Sequence, residues 1–319
     1  MRTANIALPP SGSSLALNIP LPLMVAAFCL LWSSAFAVAK LAVADCPPLL
    51  VLTARFLLAG VFMLGAAAIY GMKLRLERRD FLLFAVLGIA NQAAYLGLSY
   101  VGIRSISSGL AALVISSNPV LTAVLAALFL GERMTWRKMV GLLLGVGGVT
   151  FVVASRLSVG VEHSVGIMFT LAALVSLAVG TILFKKFTPS GGLWIGTGVQ
   201  SMSAGLALLP FAFTFESVAD IVPSWRLLAS IAYLALVVSV FAYLLWFHLL
   251  TVSGATAASS YHFMMPPLGM LFGWLLLGEH VAPTDLAGIV PVAIGIYLVT
   301  WLPKPTYNSF EQCHNGKAI

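Results

Sequence analysis

The side chains able to do chemistry in this sequence stand out because nearly everything around them is apolar. Trp32 and Ser33, Asn91 and Tyr95, Asn118, Tyr243 and Trp246, and Tyr261 and His262 all sit inside long runs of Leu, Val, Ala and Phe. Such groups stack and hydrogen-bond, which suits reversible binding of a small molecule better than bond-making. Asn91 and Tyr95 are four apart and Tyr243 and Trp246 three apart, so each pair is expected on one face of a helix. Pro119 lacks the N–H that the carbonyl of Ile115 would receive, and Pro266-Pro267 makes a double break of the same kind. A carbonyl released in this way is a further acceptor, and each break is a place where a helix can bend. The plain alternative for every one of these residues is packing between helices, where a polar contact contributes about 0.6 kcal/mol. His262 is able to titrate near neutral pH, with a structural role as its alternative.

The elements that must position these groups are membrane spans. Of 319 residues, 61% are hydrophobic and only 8% charged, against roughly 25% charged in soluble domains. The surplus apolar surface has to face lipid. Runs long enough to cross ~30 Å of hydrocarbon cover 21–44, 48–70, 81–100, 106–130, 139–155, 165–184, 192–213, 227–250, 255–277 and 286–302. Twelve Lys and Arg fall in the N-terminal segment, the even-numbered connections and the C-terminal tail, and three (Arg104, Arg156, Arg226) in the odd ones. That bias puts both termini in the cytoplasm. The net charge of +7 is therefore a topology signal spread between spans, and a nucleic-acid surface is not expected. Arg2, the run Leu21 to Leu31 and Ala35-Phe36-Ala37 imitate a signal peptide. The apolar run continues to Ala44, however, which points to an uncleaved first span. Cys29, Cys46 and Cys313 fall in the membrane, outside and inside respectively, so neither a disulfide nor a metal cluster is expected.

The chain also repeats itself. Pro119 and Pro266, Gly131 and Gly278, Glu132 and Glu279, Gly141 and Gly288, and Gly148 and Gly295 all pair at one offset of 147 residues. Pro, Gly and Glu are uncommon inside apolar helices, so five coincidences mark a duplicated unit. Each unit holds five spans. An odd number makes the second unit enter the membrane from the opposite side, the arrangement that lets a transporter exchange inward-open and outward-open forms. The expected fold is an all-α integral membrane protein of ten transmembrane helices in two inverted five-helix repeats. Its parts are an N-terminal tail at 1–20, repeats at 21–155 and 156–302, and a C-terminal tail at 303–319.

Trp32-Ser33-Ser34-Ala35-Phe36, Ala54-Arg55-Phe56 and the two copies of Pro-x11-Gly-Glu resemble the EamA family of the drug/metabolite transporter superfamily. The resemblance covers about residues 20–302. It implies ten helices with both ends inside, spans 1–4 and 6–9 around a central cavity, and spans 5 and 10 as scaffold. It further implies an inner-membrane exporter of amino acids or related metabolites. The seventh span departs from the pattern, because Gln200 stands where Arg55 stands in the second.

An ionisable side chain at membrane depth costs roughly 2.5–3.5 kcal/mol and so marks a partner or a hydrated cavity. Arg55 reads either as an anion-attracting guanidinium facing the pathway or as a structural Arg bonded to carbonyls. Lys40 lies one turn from the end of its span and is free to snorkel, while Lys185-Lys186 reads as a topology signal. Glu132 and Glu279 follow Gly at helix ends, where capping or inter-helix bonding is expected rather than proton carriage. No Asp or Glu occupies the interior of a span. A proton-driven exporter of cationic drugs needs such a carboxylate, so either the cargo expected is zwitterionic or anionic or the exchange is uncoupled.

Gly141, Gly145, Gly148, Gly288 and Gly295 allow close backbone approach, either as packing within the chain or as the contact of a homo-oligomer. No Gly-rich nucleotide loop ending in Lys-Ser/Thr is present, and no cofactor is expected. A membrane-embedded enzyme is the alternative from another class, but the acids sit in loops and the five His residues are scattered. A non-transport scaffold lacks the extramembrane domain that partners would need.

Overall fold

A computed structural model describes residues 20–72, 76–132, 134–158, 163–189 and 192–300. Most of both expected tails, with Cys313, lies outside them. The described residues form helices and contain no strand. Eight helices are long and apolar enough to cross a membrane. They are α1 (Leu21–Asp45), α2 (Pro48–Ile69), α3 (Arg78–Ile103), α4 (Ser108–Phe129), α5 (Trp136–Ser158), α6 (Ser164–Phe187), α7 (Leu193–Phe215) and α8 (Trp225–Ser253). Three shorter helices follow: α9 (Ala255–Ser260), α10 (Met265–Leu277) and α11 (Pro283–Thr300). The outward faces carry Leu58, Phe62, Leu128, Leu143, Phe211 and Leu228, each well exposed. Such a surface is stable only against lipid, and helices satisfy their own backbone groups there.

The ends of the helices follow local sequence. Pro22, Pro48, Pro119 and Pro266 stand in first turns, where a missing N–H costs nothing. Ser107 and Ser224 accept bonds from the N–H groups of Leu110 and Leu227, capping α4 and α8. Both Gly-Glu corners close alike. Gly131 and Gly278 adopt φ values of 69° and 65°, and the N–H of the following Glu reaches back six residues. Glu132 N donates to Ala126 O at 3.2 Å, and Glu279 N to Gly273 O at 3.1 Å. Only Gly takes that left-handed position without strain.

Four helices are interrupted, and the interruptions come in pairs. A π-helical stretch widens α3 at Gly88–Ala94 and α8 at Tyr233–Ala242. A break at Ser116 and Ser117 divides α4 before Pro119, and a 3-10 turn at Tyr261–Met264 separates α9 from α10 before Pro266. Asn91 and Tyr95 turn to different neighbours. Tyr95 points into the centre of the bundle, whereas a Cβ on Gly180 of α6 would lie only 1.9 Å from Asn91 Oδ1, which places the Asn91 side chain against α6.

α5 packs on α11, α2 on α7, α3 on both α6 and α7, α4 on α6, and α1 on both α8 and α10. The glycines of α5 and α11 face each other. A Cβ on Gly295 would meet Gly141 O at 2.4 Å, and one on Gly148 would meet Gly288 O at 2.7 Å. Of the two roles open to these glycines, packing within the chain is the one they serve.

Candidate functional site

The centre of the bundle is aromatic. Phe28 and Trp32 on α1, Tyr243 and Trp246 on α8, and His262 between α9 and α10 form one cluster. Trp246 stacks on Phe28 with ring centroids 5.5 Å apart and meets His262 edge-on at 4.7 Å. Trp32 lies 5.1 Å from Tyr243 and 5.6 Å from His262. Beside this cluster is a cavity of about 20 Å³ walled by Trp32, Phe36, Arg55, Tyr95, Tyr100 and Tyr243. That is room for about one water, far below the ~300–1,000 Å³ of a small-molecule pocket. The helices are closed around the centre.

Arg55 is 1% exposed. Its Nε donates to Ser239 Oγ and its Nη1 to Tyr100 Oη, each at 2.8 Å. Both acceptors are neutral, and no carboxylate pairs with the guanidinium among the described residues. Two of its five N–H groups are thus used. Tyr243 Oη donates to the backbone carbonyl of Asn91 at 3.0 Å, tying α8 to the π-helical part of α3.

Several buried polar atoms have no hydrogen-bond partner among the described residues. They include Ser33 Oγ, both side-chain termini of Asn91, Gln92 and Gln200, Asn118 Nδ2, Trp246 Nε1 and His262 Nε2. Leaving such an atom unpaired costs about 1–3 kcal/mol, and native interiors contain few of them. They are spread over α1, α3, α4, α7, α8 and the turn before α10, with Asn91 packed against α6.

Of the residues singled out from the sequence, Trp32, Arg55, Tyr95 and Tyr243 line the cavity, and Trp246 and His262 pack with Trp32 in the aromatic cluster. Ser33 and Asn118 are buried, the latter accepting from Thr122 at 3.1 Å. Tyr261 does not join them. Its hydroxyl pairs with Ser253 Oγ at 3.3 Å, and its ring faces an outer apolar groove beside Cys29. Pro119 and Pro266 are buried at the starts of helical segments, whereas Pro267 is exposed. Phe28, Tyr100 and Ser239 were not legible as site residues. Nothing in local spacing separates them from neighbouring Phe, Tyr and Ser, and only tertiary contact does so.

Polar clusters close both ends of the bundle. At the Asp45 end, Glu279 accepts from Ser108 N at 2.9 Å and Ser108 Oγ at 2.7 Å, and pairs with Lys40 Nζ at 3.2 Å. Lys40 also donates to Ile106 O at 2.8 Å, so it is tied inward instead of snorkelling. Burial alone would raise the Glu279 carboxyl, but the Ser108 bonds and the Lys40 ammonium outweigh it and hold the group below its ordinary value. Asp45 accepts from Ser224 and Arg226, and Glu216 caps α2 by accepting from Leu49 N and Leu50 N. At the opposite end, Lys185 donates to Leu250 O at 3.2 Å, Arg79 to Phe187 O at 2.7 Å, and Glu132 pairs with Lys138 at 3.8 Å.

Known proteins resemble this chain over most of its length. The EamA-like transporter family matches residues 20–154 and 164–301. The uncharacterized transporter YvbV of Bacillus subtilis is 28% identical over 283 residues, covering 88% of this chain and 92% of that protein. An uncharacterized transporter of Archaeoglobus fulgidus is 30% identical over 271 residues, covering 84% and 94%. The uncharacterized inner membrane transporter YedA of Escherichia coli is 27% identical over 283 residues, covering 88% and 91%. One solved crystal structure superposes with a TM-score of 0.68 at 18% identity, over 88% of this chain and 96% of that one, which shows a shared fold. With nearly the whole membrane part matched in two blocks, this multi-pass membrane protein belongs to the EamA-like transporter family.

Proposed function

We propose that the chain is a secondary transporter that exports amino acids or related small metabolites across the inner membrane. It alternates access around the central cavity through two oppositely threaded five-helix units, with both termini in the cytoplasm. Support for two like units comes from the paired interruptions of α3 and α8 and of α4 and α9–α10. The identical closure of both Gly-Glu corners adds to it. The near-closed cavity supports a moving bundle, because a metabolite fits only if the helices part.

The observation that carries the choice of cargo is Arg55. A buried guanidinium bonded only to neutral oxygens attracts a carboxylate, and the rings of Trp32, Tyr95 and Tyr243 offer surfaces for an apolar body. A zwitterionic or anionic metabolite satisfies both. Counterflow in proteoliposomes tests this: labelled amino acids should accumulate against internal unlabelled amino acid, with saturation. Flux equal to that of protein-free liposomes for every amino acid tried would end this reading. Hydrolysis or group transfer by the purified protein would favour the enzyme class instead.

A further inference from the structure

We infer that the cluster of Lys40, Glu279 and Ser108 is the latch that closes one mouth of the cavity, and that the bond from Lys185 to the Leu250 carbonyl is its counterpart at the other mouth. This inference rests on the alternating-access reading above. The first cluster ties three separate helices. Lys40 belongs to α1, Ser108 opens α4, and Glu279 follows the C-terminus of α10. Gly109 N adds a third bond to the carboxylate at 3.3 Å. Ala39, the residue before Lys40, lines the cavity, as does Ile103 at the end of α3. The cluster therefore lies over the cavity, and that mouth opens only if α1 parts from α4 and α10.

The contact is specific in shape. A Cβ on Gly273 would stand 2.5 Å from Glu279 Oε2, so the carboxylate occupies space that only glycine leaves. It is also reversible in kind. Lys40 and Glu279 retain 30% and 17% side-chain exposure, so water can replace each partner as the helices separate.

The mirror follows from the duplication. Lys185 stands 145 residues after Lys40, and Leu250 stands 144 after Ile106. Each lysine donates to the carbonyl of its own member of that pair, Lys40 to Ile106 and Lys185 to Leu250. Glu132 is the offset partner of Glu279. Behind Lys185, Phe184 and Phe247 meet with centroids 4.7 Å apart. Their counterparts at the first mouth are Ala39 and Ile103, which explains why the cavity lies nearer the Asp45 end. Closing one mouth while the other opens requires two latches of this kind, each broken in one state.

The test uses the full-length chain freed of its own cysteines and carrying one reporter, Ala39→Cys at the first mouth or Thr181→Cys one turn inside Lys185. Maleimide labelling rates are read in detergent. Glu279→Gln should raise labelling of the Ala39 reporter by at least about tenfold, the scale of one lost charge-assisted hydrogen bond, and lower that of the Thr181 reporter. Lys185→Met should do the reverse, and Lys40→Met should repeat the effect of Glu279→Gln should the latter not fold. Unchanged rates in a folded variant, or the Glu279 and Lys185 variants moving a reporter the same way, would overturn the latch. Reciprocal shifts without any flux would keep the latch and remove the transport reading, while flux without shifts would do the opposite.

Discussion

Replacing Arg55 with Gln isolates the charge that defines the proposed cargo. Gln is the residue at the equivalent place in α7, where Gln200 is fully buried, so the exchange keeps a polar group of a kind this fold accommodates. The two bonds to Ser239 and Tyr100 contribute about 1.5–3 kcal/mol each as bonds from a charged donor. Against that stands relief of the roughly 2.5–3.5 kcal/mol cost of a cation at membrane depth. The two bonds together, about 3–6 kcal/mol, outweigh that relief, so the variant should melt somewhat below the wild type, and its binding is read well below its melting temperature. A cargo carboxylate exchanging a charged donor for a neutral one loses about 1.4 kcal/mol per bond, tenfold in affinity, or about a hundredfold if it is held by two. The assay is equilibrium binding of an amino acid and of its primary amide to the purified protein. Wild type should prefer the acid by about 10- to 100-fold, and Arg55→Gln should erase that preference while leaving amide affinity unchanged. Equal affinity for acid and amide in the wild type, or a preserved preference in the variant, would show that Arg55 is structural.

Four further outcomes follow from the same structure. Gly295→Ala puts a Cβ 2.4 Å from the Gly141 carbonyl, so α5 and α11 must separate and thermal unfolding should drop by about 1–3 kcal/mol. Gly65→Ala meets nothing within 4 Å and should stabilise by about 0.5–1 kcal/mol. Because the Glu279 carboxyl is held below its usual 4.5, its contribution is present above that pH and lost as pH falls through the lower folded value. The melting difference between wild type and Glu279→Gln should accordingly be constant from neutral pH down to about 5 and shrink below it. Burial, with a smaller effect of Glu216, pushes the Cys46 thiol up to about 11, so maleimide at pH 7 should leave Cys46 unmodified until denaturant is added, as mass spectrometry would show.

The apolar runs and the positions of Pro and Gly made most of the helices legible, because a lipid-facing helix needs little beyond length and composition. The boundaries of α3 differ by three residues at each end from the run of apolar residues, since Arg78 and Arg79 start the helix at its polar margin. The π stretches were not legible. A wider turn leaves no compositional trace at Gly88–Ala94. Trp32, Arg55, Tyr95, Tyr243 and Trp246 were legible because polar or bulky groups at membrane depth demand a reason. Tyr261 carried the same signal and turned outward, because the 3-10 turn rotates it away from His262. Lys40 and Glu279 looked like separate helix-end residues, and only the contact between α1, α4 and α10 joins them.

The claim beneath the whole account is that the two units thread the bilayer in opposite senses. Thr135 and His280 are exposed beside the two Gly-Glu corners. With Thr135→Cys or His280→Cys as the single cysteine, intact cells treated with a membrane-impermeant maleimide give the most direct reading. Labelling of the His280 variant from outside, and of the Thr135 variant only after permeabilisation, is the predicted result. Labelling of both from the same side would contradict it.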